Sequence, residues 1–438
     1  MSQVRIGIRL EDKSEWERRA PLTPDDIREL RTRHGLEFTV EPSSARIYPD
    51  SEYEKAGAEV RMGLEECDLI VGIKEVPVPR LVPGKPHLFF SHTIKGQSYN
   101  MSLLQEILDK KVTLIDYEKV TDERGMRLIA FSTQAGQAGM INTLWSLGQR
   151  WREMGIETPF ANLKQAMTYP AGLDHPRKAI REAGEQVREH GLPASISPVV
   201  IAITGIGRVS SGAQDILEEL EPIELKPKDL LNPETMSHLS HHEVYKVVLD
   251  MQHFLLHSDG STSFDFDEYL EFPERYHSRF MEYVPCLSAI VNGIYWEPRF
   301  PRLMTRDDVA ALYTDGKSPK LTVIGDVTCD PEGSIECTLE PALPDKPVYV
   351  YNPETGSISY GFDGQGLLMM AVDILPTEIP MTSSIRFGSK LKPFLPAIAR
   401  ADYSEAFVNL DLPDEFKRAV IAHRGELTPD YLYLKKFL

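Results

Sequence analysis

A glycine-rich turn near the middle of the chain has the residue types needed to hold a phosphate group. The apolar segment VVIAIT runs into the turn Gly205-Ile-Gly207, and Arg208, Val209 and Ser210 then open a helical pattern. The first glycine permits a tight turn, the second lets the backbone approach a pyrophosphate, and the helix N-terminus supplies N–H groups. Serine replaces the third glycine of the fingerprint, so a purely structural turn is the alternative. The strand-turn-helix context favours a dinucleotide coenzyme site.

The type of coenzyme depends on the residue that ends the second strand of such a fold, roughly 20 residues after the first glycine. A carboxylate there accepts the ribose hydroxyls of NAD(H), whereas a basic group favours the 2′-phosphate of NADP(H). Glu224, Lys226 and Lys228 lie at about that distance from Gly205. Pro227 ends strand pairing and keeps the preceding residue extended, which presents Lys226. The sequence therefore favours NADP(H) over NAD(H), and a solvated charged loop is the alternative.

Three apolar segments in the first third of the chain end in side chains that can carry or accept a proton. VGI precedes Lys74 and Glu75, FFS precedes His92, and LIDY precedes Glu118. The carboxyl ends of parallel strands meet at one edge of an open α/β sheet, where ligands bind. Among these residue types, histidine is the one whose ordinary pKa lies near neutrality. The four residues are candidates for general acid–base catalysis, and solvated loop residues are the alternative.

Further charged residues follow other predicted strands. Asp326 follows LTVIG in the second strand series, and Arg18 and Arg19 follow the first strand. An arginine can clamp a carboxylate through two parallel hydrogen bonds, although a basic pair on a surface loop is an equal alternative. Five histidines lie between residues 238 and 257, but no carboxylate or cysteine stands at ligand spacing from them. We therefore predict no metal site.

Strands alternate with helices along the chain, which predicts parallel sheets covered on both faces. The first strands are expected at 4–10, 37–41, 68–73, 87–91 and 112–117. Thr23 and Pro24 begin the first helix and Gly35 ends it. Helices at 138–154 and 174–191 precede a second strand series from Pro198. The apolar run that follows Gly366 predicts a helix ending at Pro376.

These elements predict an α/β protein with two Rossmann-like domains and an active-site cleft between them. Residues 1–140 together with 366–438 form the expected substrate domain, and residues 141–365 form the expected dinucleotide-binding domain. The cleft between them is expected to close during the reaction and exclude water.

The composition excludes several classes of protein. With 66 acidic and 48 basic residues in 438, the net charge is −18, which disfavours binding to nucleic acid or anionic lipid. The longest apolar runs are too short to cross a bilayer, and the first residues have no signal-peptide pattern. Four cysteines without a paired spacing are typical of a reducing compartment. We expect a cytoplasmic protein with small-molecule substrates, without nucleic-acid or membrane partners, and leave its oligomeric state open.

The family that the chain resembles is the lysine–2-oxoglutarate reductase domain, the saccharopine-forming half of a bifunctional lysine-degradation enzyme. The resemblance is carried in order by RIGIRLEDKSEWERRAPLTPDDI, VGIKEVP, GKPHLFFSHTIKGQ, ITGIGRVSSGAQ and NGIYWEPRFPRLMTRDD. It covers nearly the whole chain, and the chain is more distantly similar to alanine dehydrogenase and transhydrogenase. What it implies is an NAD(P)H-dependent reductive condensation of L-lysine with 2-oxoglutarate to saccharopine.

The resemblance also implies roles for individual residues. Lys74 and His92 would be the acid–base pair, and Glu75 and Glu118 would tune them. Forming and reducing an imine requires proton transfers at nitrogen and at the departing hydroxyl, so at least one group must titrate near neutrality. His92 meets this requirement as it stands, whereas Lys74 meets it only if burial lowers its pKa.

The same resemblance implies that Arg19 binds a substrate carboxylate and that Asp326 lines the substrate cleft near the nicotinamide. The turn with serine in third place matches the form found in the family. Around LDMQHFLLHSDG the family commonly shows a more basic, histidine-rich run, so the amino-acid side of the pocket is expected to differ here. Two alternatives stay open: a relative that acts on a different amine or deaminates a small amino acid, and a non-catalytic coenzyme-binding protein.

Overall fold

The computed structural model describes residues 3–169, 171–260, 264–314 and 318–438. The chain divides into two units: Met1–Phe131 with Pro380–Leu438, and Ser132–Ile379. We call them the first unit and the second unit. The boundaries predicted from the sequence are 140/141 and 365/366.

The strands, in chain order, are β1 (Arg5–Ile8), β2 (Glu37–Val40), β3 (Glu59–Val60), β4 (Leu69–Val71), β5 (Pro86–Phe89), β6 (Thr113–Asp116), β7 (Val199–Thr204), β8 (Ile223–Leu225), β9 (Val244–Leu249), β10 (Leu255–His257), β11 (Tyr276–Ser278), β12 (Ala289–Asn292), β13 (Val323–Asp326), β14 (Val348–Tyr351), β15 (Ile358–Tyr360), β16 (Leu367–Met370), β17 (Val420–His423) and β18 (Glu426–Leu427).

The α-helices, in chain order, are α1 (Pro24–His34), α2 (Asp50–Lys55), α3 (Ser98–Asp109), α4 (Ser132–Glu153), α5 (Asp174–His190), α6 (Arg208–Leu217), α7 (Pro227–Leu230), α8 (Pro233–Ser237), α9 (Met251–Phe254), α10 (Phe266–Glu271), α11 (Arg306–Leu312), α12 (Pro380–Leu391), α13 (Leu395–Arg400) and α14 (Asp414–Lys417). In the part of the chain that the structure describes, none of the helices is both long enough and apolar enough to cross a membrane.

The first unit contains an eight-stranded sheet in the order β18-β17-β6-β5-β4-β1-β2-β3. The strands β1 to β6 run parallel, and β17 and β18 close one edge in antiparallel pairing. Successive residues of a strand point to opposite faces. Leu88 and Phe89 of β5 accordingly enter two different buried clusters, so the sheet is covered on both faces.

The second unit contains another eight-stranded sheet, in the order β15-β14-β16-β13-β12-β7-β9-β8. All of its neighbouring strands pair in parallel except β14, which pairs antiparallel with both β15 and β16. Ile201 and Ile203 of β7 pack in one cluster and Val200 and Ala202 in another, so this sheet is also buried on both faces. The prediction of an α/β fold with two mostly parallel sheets is confirmed.

The segment after Gly366 is a strand, so the helix predicted there is wrong. Leu367–Met370 forms β16, which pairs with β13 and β14. A short apolar run fits a buried helix and a buried strand equally well, and only its pairing partners decide between them. Gly366 adopts φ +132°, and a Cβ there would lie 2.0 Å from the carbonyl oxygen of Tyr351. The strand therefore begins where only glycine fits.

Candidate active site

The glycine turn of the second unit has the backbone form that a pyrophosphate requires. β7 ends at Thr204, and Gly205 follows with φ +79°, a conformation that favours glycine. Gly207 precedes α6, and a Cβ built on it would meet no atom within 4 Å. The first N–H groups of α6 have no partner within the helix, and they form the positive end of its dipole. The residues present therefore fit a dinucleotide, with Arg208, Val209 and Ser210 at the helix start.

Two other glycines provide the close packing that the third fingerprint glycine usually allows. A Cβ on Gly212 would lie 2.0 Å from the carbonyl oxygen of Thr133, and a Cβ on Gly136 would lie 1.9 Å from that of Val209. The helices α4 and α6 thus touch through their backbones. Ser210 is buried, and its hydroxyl accepts a hydrogen bond from Gln214 Nε2 at 3.1 Å. The close contact with α4 is made at Gly212, two residues after Ser210.

Lys226 was chosen because it follows the second strand along the chain, and the order of the strands in the sheet differs from their order in the chain. β8 ends at Leu225 and Lys226 is exposed, as the sequence predicted. However, β9 lies between β8 and β7. The segment LDMQHFLLHSDG, expected to affect the amino-acid side of the pocket, begins at the end of β9. There the carbonyl of Leu249 accepts a hydrogen bond from the N–H of Gly205 at 2.8 Å.

In the first unit, the structure brings His92 and Glu75 into contact. The two residues follow the neighbouring parallel strands β5 and β4, and His92 Nδ1 lies 2.8 Å from Glu75 Oε1. Burial raises the pKa of the Glu75 carboxyl, but the hydrogen bond to His92 and the charges of His92 and Lys13 outweigh it and bring the pKa to about 2. Because an ionised carboxylate only accepts hydrogen bonds, the proton of this bond belongs to Nδ1.

His92 is held from several sides. Its φ of +53° places it in the left-handed region, which is uncommon for a residue other than glycine. Asn100 Nδ2 donates to its carbonyl at 3.1 Å, and its ring is stacked near Phe90. The His92 side chain is 30% exposed. The ring can therefore present Nε2 to a ligand while Nδ1 stays bound to Glu75.

Lys74 is anchored through its backbone at the end of β4. Its N–H donates to Glu11 Oε2 at 3.0 Å, and the N–H of Ile73 donates to Glu11 Oε1 at 2.7 Å. Burial raises the pKa of Glu11, although Arg9 opposes the shift. Glu11 was not predicted from the sequence. It lies in the loop after β1, and it reaches the residues that follow β4 because β1 and β4 are neighbours in the sheet.

Glu118 lies beyond β6, next to a buried carboxyl group that the sequence analysis did not single out. The Glu118 carboxylate is 3.3 Å from Arg127, and its N–H donates to Asp116 Oδ1 at 2.8 Å. Asp116 also accepts hydrogen bonds from the N–H and the hydroxyl of Ser91. Burial raises the pKa of Asp116 to about 6, although the Ser91 hydroxyl lowers it in part. Asp116 could have been identified from the sequence as a candidate site residue, because it is the last residue of a predicted strand.

The two arginines after β1 differ in their surroundings. Arg19 is 3% exposed, and its Nε and Nη2 donate to the two carboxylate oxygens of Glu17 at 2.7 and 2.5 Å. Its guanidinium also lies 4.1 Å from the ring centre of Phe131. Arg18 is half-buried, and its carbonyl accepts from the N–H of Ile47. Glu17 therefore occupies the fork of Arg19 that was expected to hold a substrate carboxylate.

Asp326 is buried in the second unit, and hydrogen bonds occupy its carboxylate. It accepts from Asn292 Nδ2 at 2.9 Å and from the hydroxyls of Thr328 and Thr338 at 2.7 and 2.5 Å. Asn292 in turn accepts from the hydroxyl of Thr204, the last residue before the glycine turn. Burial raises the pKa of Asp326, although these hydrogen bonds oppose the shift. The network connects Asp326 to the turn and supports a positioning role.

Two of the five histidines between residues 238 and 257 contact backbone carbonyl groups. His238 Nδ1 contacts the carbonyl of Glu234 at 2.7 Å, and His242 Nδ1 contacts that of Arg188 at 3.0 Å. Among the described residues, no group of three or more His, Cys, Asp and Glu side chains is placed to hold a metal ion.

Comparisons with known proteins identify a matching family model and several similar enzymes. Residues 7–138 match the family described as alanine dehydrogenase/PNT, N-terminal domain. The alpha-aminoadipic semialdehyde synthases of Bos taurus (mitochondrial) and Arabidopsis thaliana are 37% and 38% identical over 98% of this chain. The chain spans only 47% and 41% of those two proteins. The saccharopine dehydrogenase (NAD(+), L-lysine-forming) of Emericella nidulans is 27% identical, covering 90% of this chain and 92% of its own.

Solved structures share the fold at low identity. An L-alanine dehydrogenase has a TM-score of 0.62 at 17% identity and covers 99% of this chain and 100% of its own. The transhydrogenase from Sinorhizobium meliloti has a TM-score of 0.55 at 16% identity and covers 97% of this chain and 100% of its own. The Rossmann-like fold predicted from the sequence is therefore also the fold of alanine dehydrogenase.

Proposed function

Because the chain is homologous to the alpha-aminoadipic semialdehyde synthases over 98% of its length, we propose that it is a lysine–2-oxoglutarate reductase. The overall reaction joins L-lysine and 2-oxoglutarate, consumes NAD(P)H and a proton, and yields saccharopine, water and NAD(P)+. The observation that carries the proposal is the His92–Glu75 pair at the sheet edge that also holds Lys74, in a chain with a dinucleotide-type turn.

We assign the first unit to the substrates and the second unit to the coenzyme. The coenzyme, when bound, supplies the hydride that reduces the carbon–nitrogen double bond. Gly205 and Gly207 would hold its pyrophosphate, together with the first residues of α6, Arg208, Val209 and Ser210. The hydrogen bonds from Asp326 through Asn292 to Thr204 would keep this turn in place.

His92 is the proposed general acid–base group. Glu75 fixes the proton on Nδ1, so Nε2 of the neutral ring is a base that can take the proton from the lysine ε-ammonium group. The uncharged amine then attacks the 2-oxo carbon, and one proton of the attacking nitrogen passes to the 2-oxo oxygen, which becomes a hydroxyl group. The protonated ring can return a proton to the hydroxyl that leaves as water, so each proton that His92 takes is given back.

Lys74 is the second proposed catalytic group. Glu118 is proposed to adjust, through its negative charge, the proton affinity of the catalytic groups at the same edge of the sheet. The ammonium group of Lys74 would stabilise negative charge on the 2-oxo oxygen during attack. Its anchored backbone fits this role, because Glu11 binds the main chain of both Lys74 and Ile73. A substrate carboxylate would bind to the Arg18–Arg19 segment, with Arg19 held by Glu17.

Two finer points stay predictions. The sequence favours NADP(H) through Lys226, whereas the Emericella nidulans relative is named as an NAD(+) enzyme. A cytoplasmic location also stays a prediction, since the Bos taurus relative is named as mitochondrial.

The test is an assay of nicotinamide absorbance with 2-oxoglutarate and a panel of amines. We expect oxidation of the reduced coenzyme that depends on both L-lysine and 2-oxoglutarate, with saccharopine identified by mass spectrometry. Turnover with another amine but not with lysine would replace the proposal by a related dehydrogenase. Coenzyme binding without turnover of any amine would favour a non-catalytic relative.

A further inference from the structure

A cavity of about 260 Å³ lies in the second unit, at the amino ends of the parallel strands β13 and β16. Leu321, two residues before β13, and Gly366, directly before β16, both line it. The glycine turn follows the carboxyl end of β7, which belongs to the same parallel array. The cavity therefore lies at the opposite end of the sheet from the proposed coenzyme site.

The strand register gives the separation between the cavity and the turn. Val323 of β13 is level with Ala289 of β12, and Ala289 is level with Ile201 of β7. Leu321 precedes Val323 by two residues and Gly205 follows Ile201 by four, so six residue steps separate the two levels. With a rise of about 3.3 Å per residue, this is about 20 Å. A small molecule in the cavity could not touch the pyrophosphate of a coenzyme at the turn.

The wall of the cavity contains a buried positive charge. Arg150, near the end of α4, is 7% exposed. Its guanidinium donates to the carbonyl groups of Phe362, Gly364 and Gly366 at 2.5, 2.7 and 3.0 Å. Among the described residues, no carboxylate forms an ion pair with it. Burial lowers the pKa of Arg150, although nearby acidic groups oppose the shift.

The donors of this wall are not all used by the protein. A guanidinium has five N–H groups in a rigid fork, and the three carbonyl contacts of Arg150 are made by Nη1 and Nη2. Its Nε makes no hydrogen bond to a described residue. Tyr313 also lines the cavity, and burial raises the pKa of its hydroxyl, which stays protonated as a donor. Because a buried charge is costly without a counter-ion, these two side chains favour an anion in the cavity.

The rim of the cavity has the opposite charge. Glu354 is exposed there and forms no ion pair within the described ranges of the chain. Gln365 Nε2 lies 3.5 Å from Glu354 Oε1. Gln365 stands between Gly364 and Gly366, whose carbonyl groups bind Arg150. A cationic group and a carboxylate are thus held on either side of one short segment.

We propose that this cavity is a second binding site, which takes a free amino acid with a small apolar side chain. The carboxylate of the ligand would meet Arg150 and Tyr313, and its ammonium group would face Glu354. Its side chain would lie against Leu321 and Met154, which also line the cavity. The cavity is somewhat smaller than the roughly 300–1,000 Å³ of sites for drug-sized molecules, which suits a ligand of this size.

The negative charge at the rim selects against other anions. A carboxylic acid without an ammonium group would leave Glu354 unpaired, and a phosphate would bring further negative charge toward it. The proposal concerns only the second unit, and it does not depend on the catalytic roles assigned to His92 and Lys74.

The test is calorimetric titration of the full chain with L-leucine, 4-methylpentanoate and inorganic phosphate. The second compound has the carbon skeleton and carboxylate of leucine without its ammonium group, and leucine avoids the proposed substrate lysine. We expect saturable binding of L-leucine, about two- to fivefold weaker binding of 4-methylpentanoate, as for the loss of one exposed ion pair, and at least tenfold weaker binding of phosphate. No saturable binding of L-leucine, or equal binding of either other compound, would overturn the proposal.

Variants of the cavity wall locate the binding. Arg150→Lys keeps the charge but removes the planar fork, and it should weaken binding of L-leucine at least tenfold. Arg152→Lys, on the same helix with an exposed side chain, is the matched control and should leave the affinity unchanged. Tyr313→Phe removes only a hydroxyl and should weaken binding about threefold or more. The same loss in Arg152→Lys as in Arg150→Lys would contradict this location.

Glu354→Gln tests the ammonium end without disturbing the core, since this side chain is exposed. It should weaken binding of L-leucine but not of 4-methylpentanoate, so that the two affinities become equal. Its rate of coenzyme oxidation with lysine and 2-oxoglutarate should match that of the unaltered protein. If Arg150→Lys fails to fold, Tyr313→Phe and Glu354→Gln still decide, because an unchanged affinity for L-leucine in both would overturn the proposal.

Discussion

The main chains of Gly212 and Thr133 are in such close contact that a Cβ on Gly212 would lie 2.0 Å from the Thr133 carbonyl oxygen. Gly207, by contrast, faces open space at the start of the same helix. The two glycines therefore serve different purposes although they lie five positions apart in one segment. Gly212 allows helix α6 to pack on α4, and Gly207 leaves room for a ligand.

Gly207→Ala and Gly212→Ala should accordingly have opposite effects on stability and binding. Gly212→Ala is expected to cost about 1–3 kcal/mol in free energy of unfolding, because backbone atoms cannot move aside easily. Gly207→Ala should leave the unfolding midpoint close to that of the unaltered protein and weaken coenzyme binding at least tenfold. Denaturant unfolding and calorimetric titration measure both quantities. Equal loss of stability in the two variants would contradict this account.

Arg18→Ala and Arg19→Ala distinguish substrate binding from structure. Arg19→Ala leaves the buried Glu17 carboxylate without its partner, and breaking such a pair costs about 3–5 kcal/mol. Arg18→Ala should change the free energy of unfolding by less than about 0.5 kcal/mol. It should raise KM for 2-oxoglutarate about tenfold or more. An unchanged KM in Arg18→Ala would remove this residue from the substrate site.

His92→Asn should lower kcat by roughly 10²–10⁴ without weakening coenzyme binding. Asparagine is the suitable replacement, because it tolerates the left-handed conformation of this residue better than alanine does. The exposed His190, changed to Asn in the same way, is the control. The proposed role of His92 would not survive a variant that keeps near-normal turnover with lysine.

The low pKa of Glu75 predicts a specific loss of stability in acid. A carboxyl group with a pKa near 2 in the folded protein and an ordinary value of 4.5 stabilises the fold above pH 4.5 and loses this contribution as the pH falls toward 2. The shift corresponds to about 3 kcal/mol.

Glu75→Gln should therefore show a flatter dependence of the free energy of unfolding on pH between about 5 and 2 than the unaltered protein. Urea denaturation at a series of pH values measures this slope. Glu123→Gln, at an exposed position, serves as the control and should keep the original slope. Parallel curves for Glu75→Gln and the unaltered protein would show that Glu75 titrates normally.

Much of the fold and part of the site followed from local patterns. The segment from Val199 to Leu217 was predicted as strand, glycine turn and helix, and the structure shows β7, the turn and α6. The strand ends near Lys74 and His92 were also correct, because neighbouring parallel strands must deliver their ends to one edge. Such features depend on the sequence within a few residues, where propensity and hydrophobic patterning are informative.

Pairing over long distances in the chain was decided only by the tertiary structure. The run Leu367–Met370 became a strand because β13 and β14 offered hydrogen-bond partners. The carboxylate of Glu17 binds the guanidinium of Arg19, and the carboxyl group of Asp116 is buried beside Ser91. No local pattern distinguishes these carboxylates from exposed ones, because burial depends on which elements pack around them.

The strand ends beside the glycine turn of the second unit show most clearly which features local sequence determines and which depend on tertiary structure. The sequence alone determined that β8 ends at Leu225 and that Lys226 follows it, since Pro227 prevents further pairing. It did not determine which strand lies next to β7. That order is set by the packing of whole strands in the sheet, and it brought Asp250 rather than Lys226 level with Gly205.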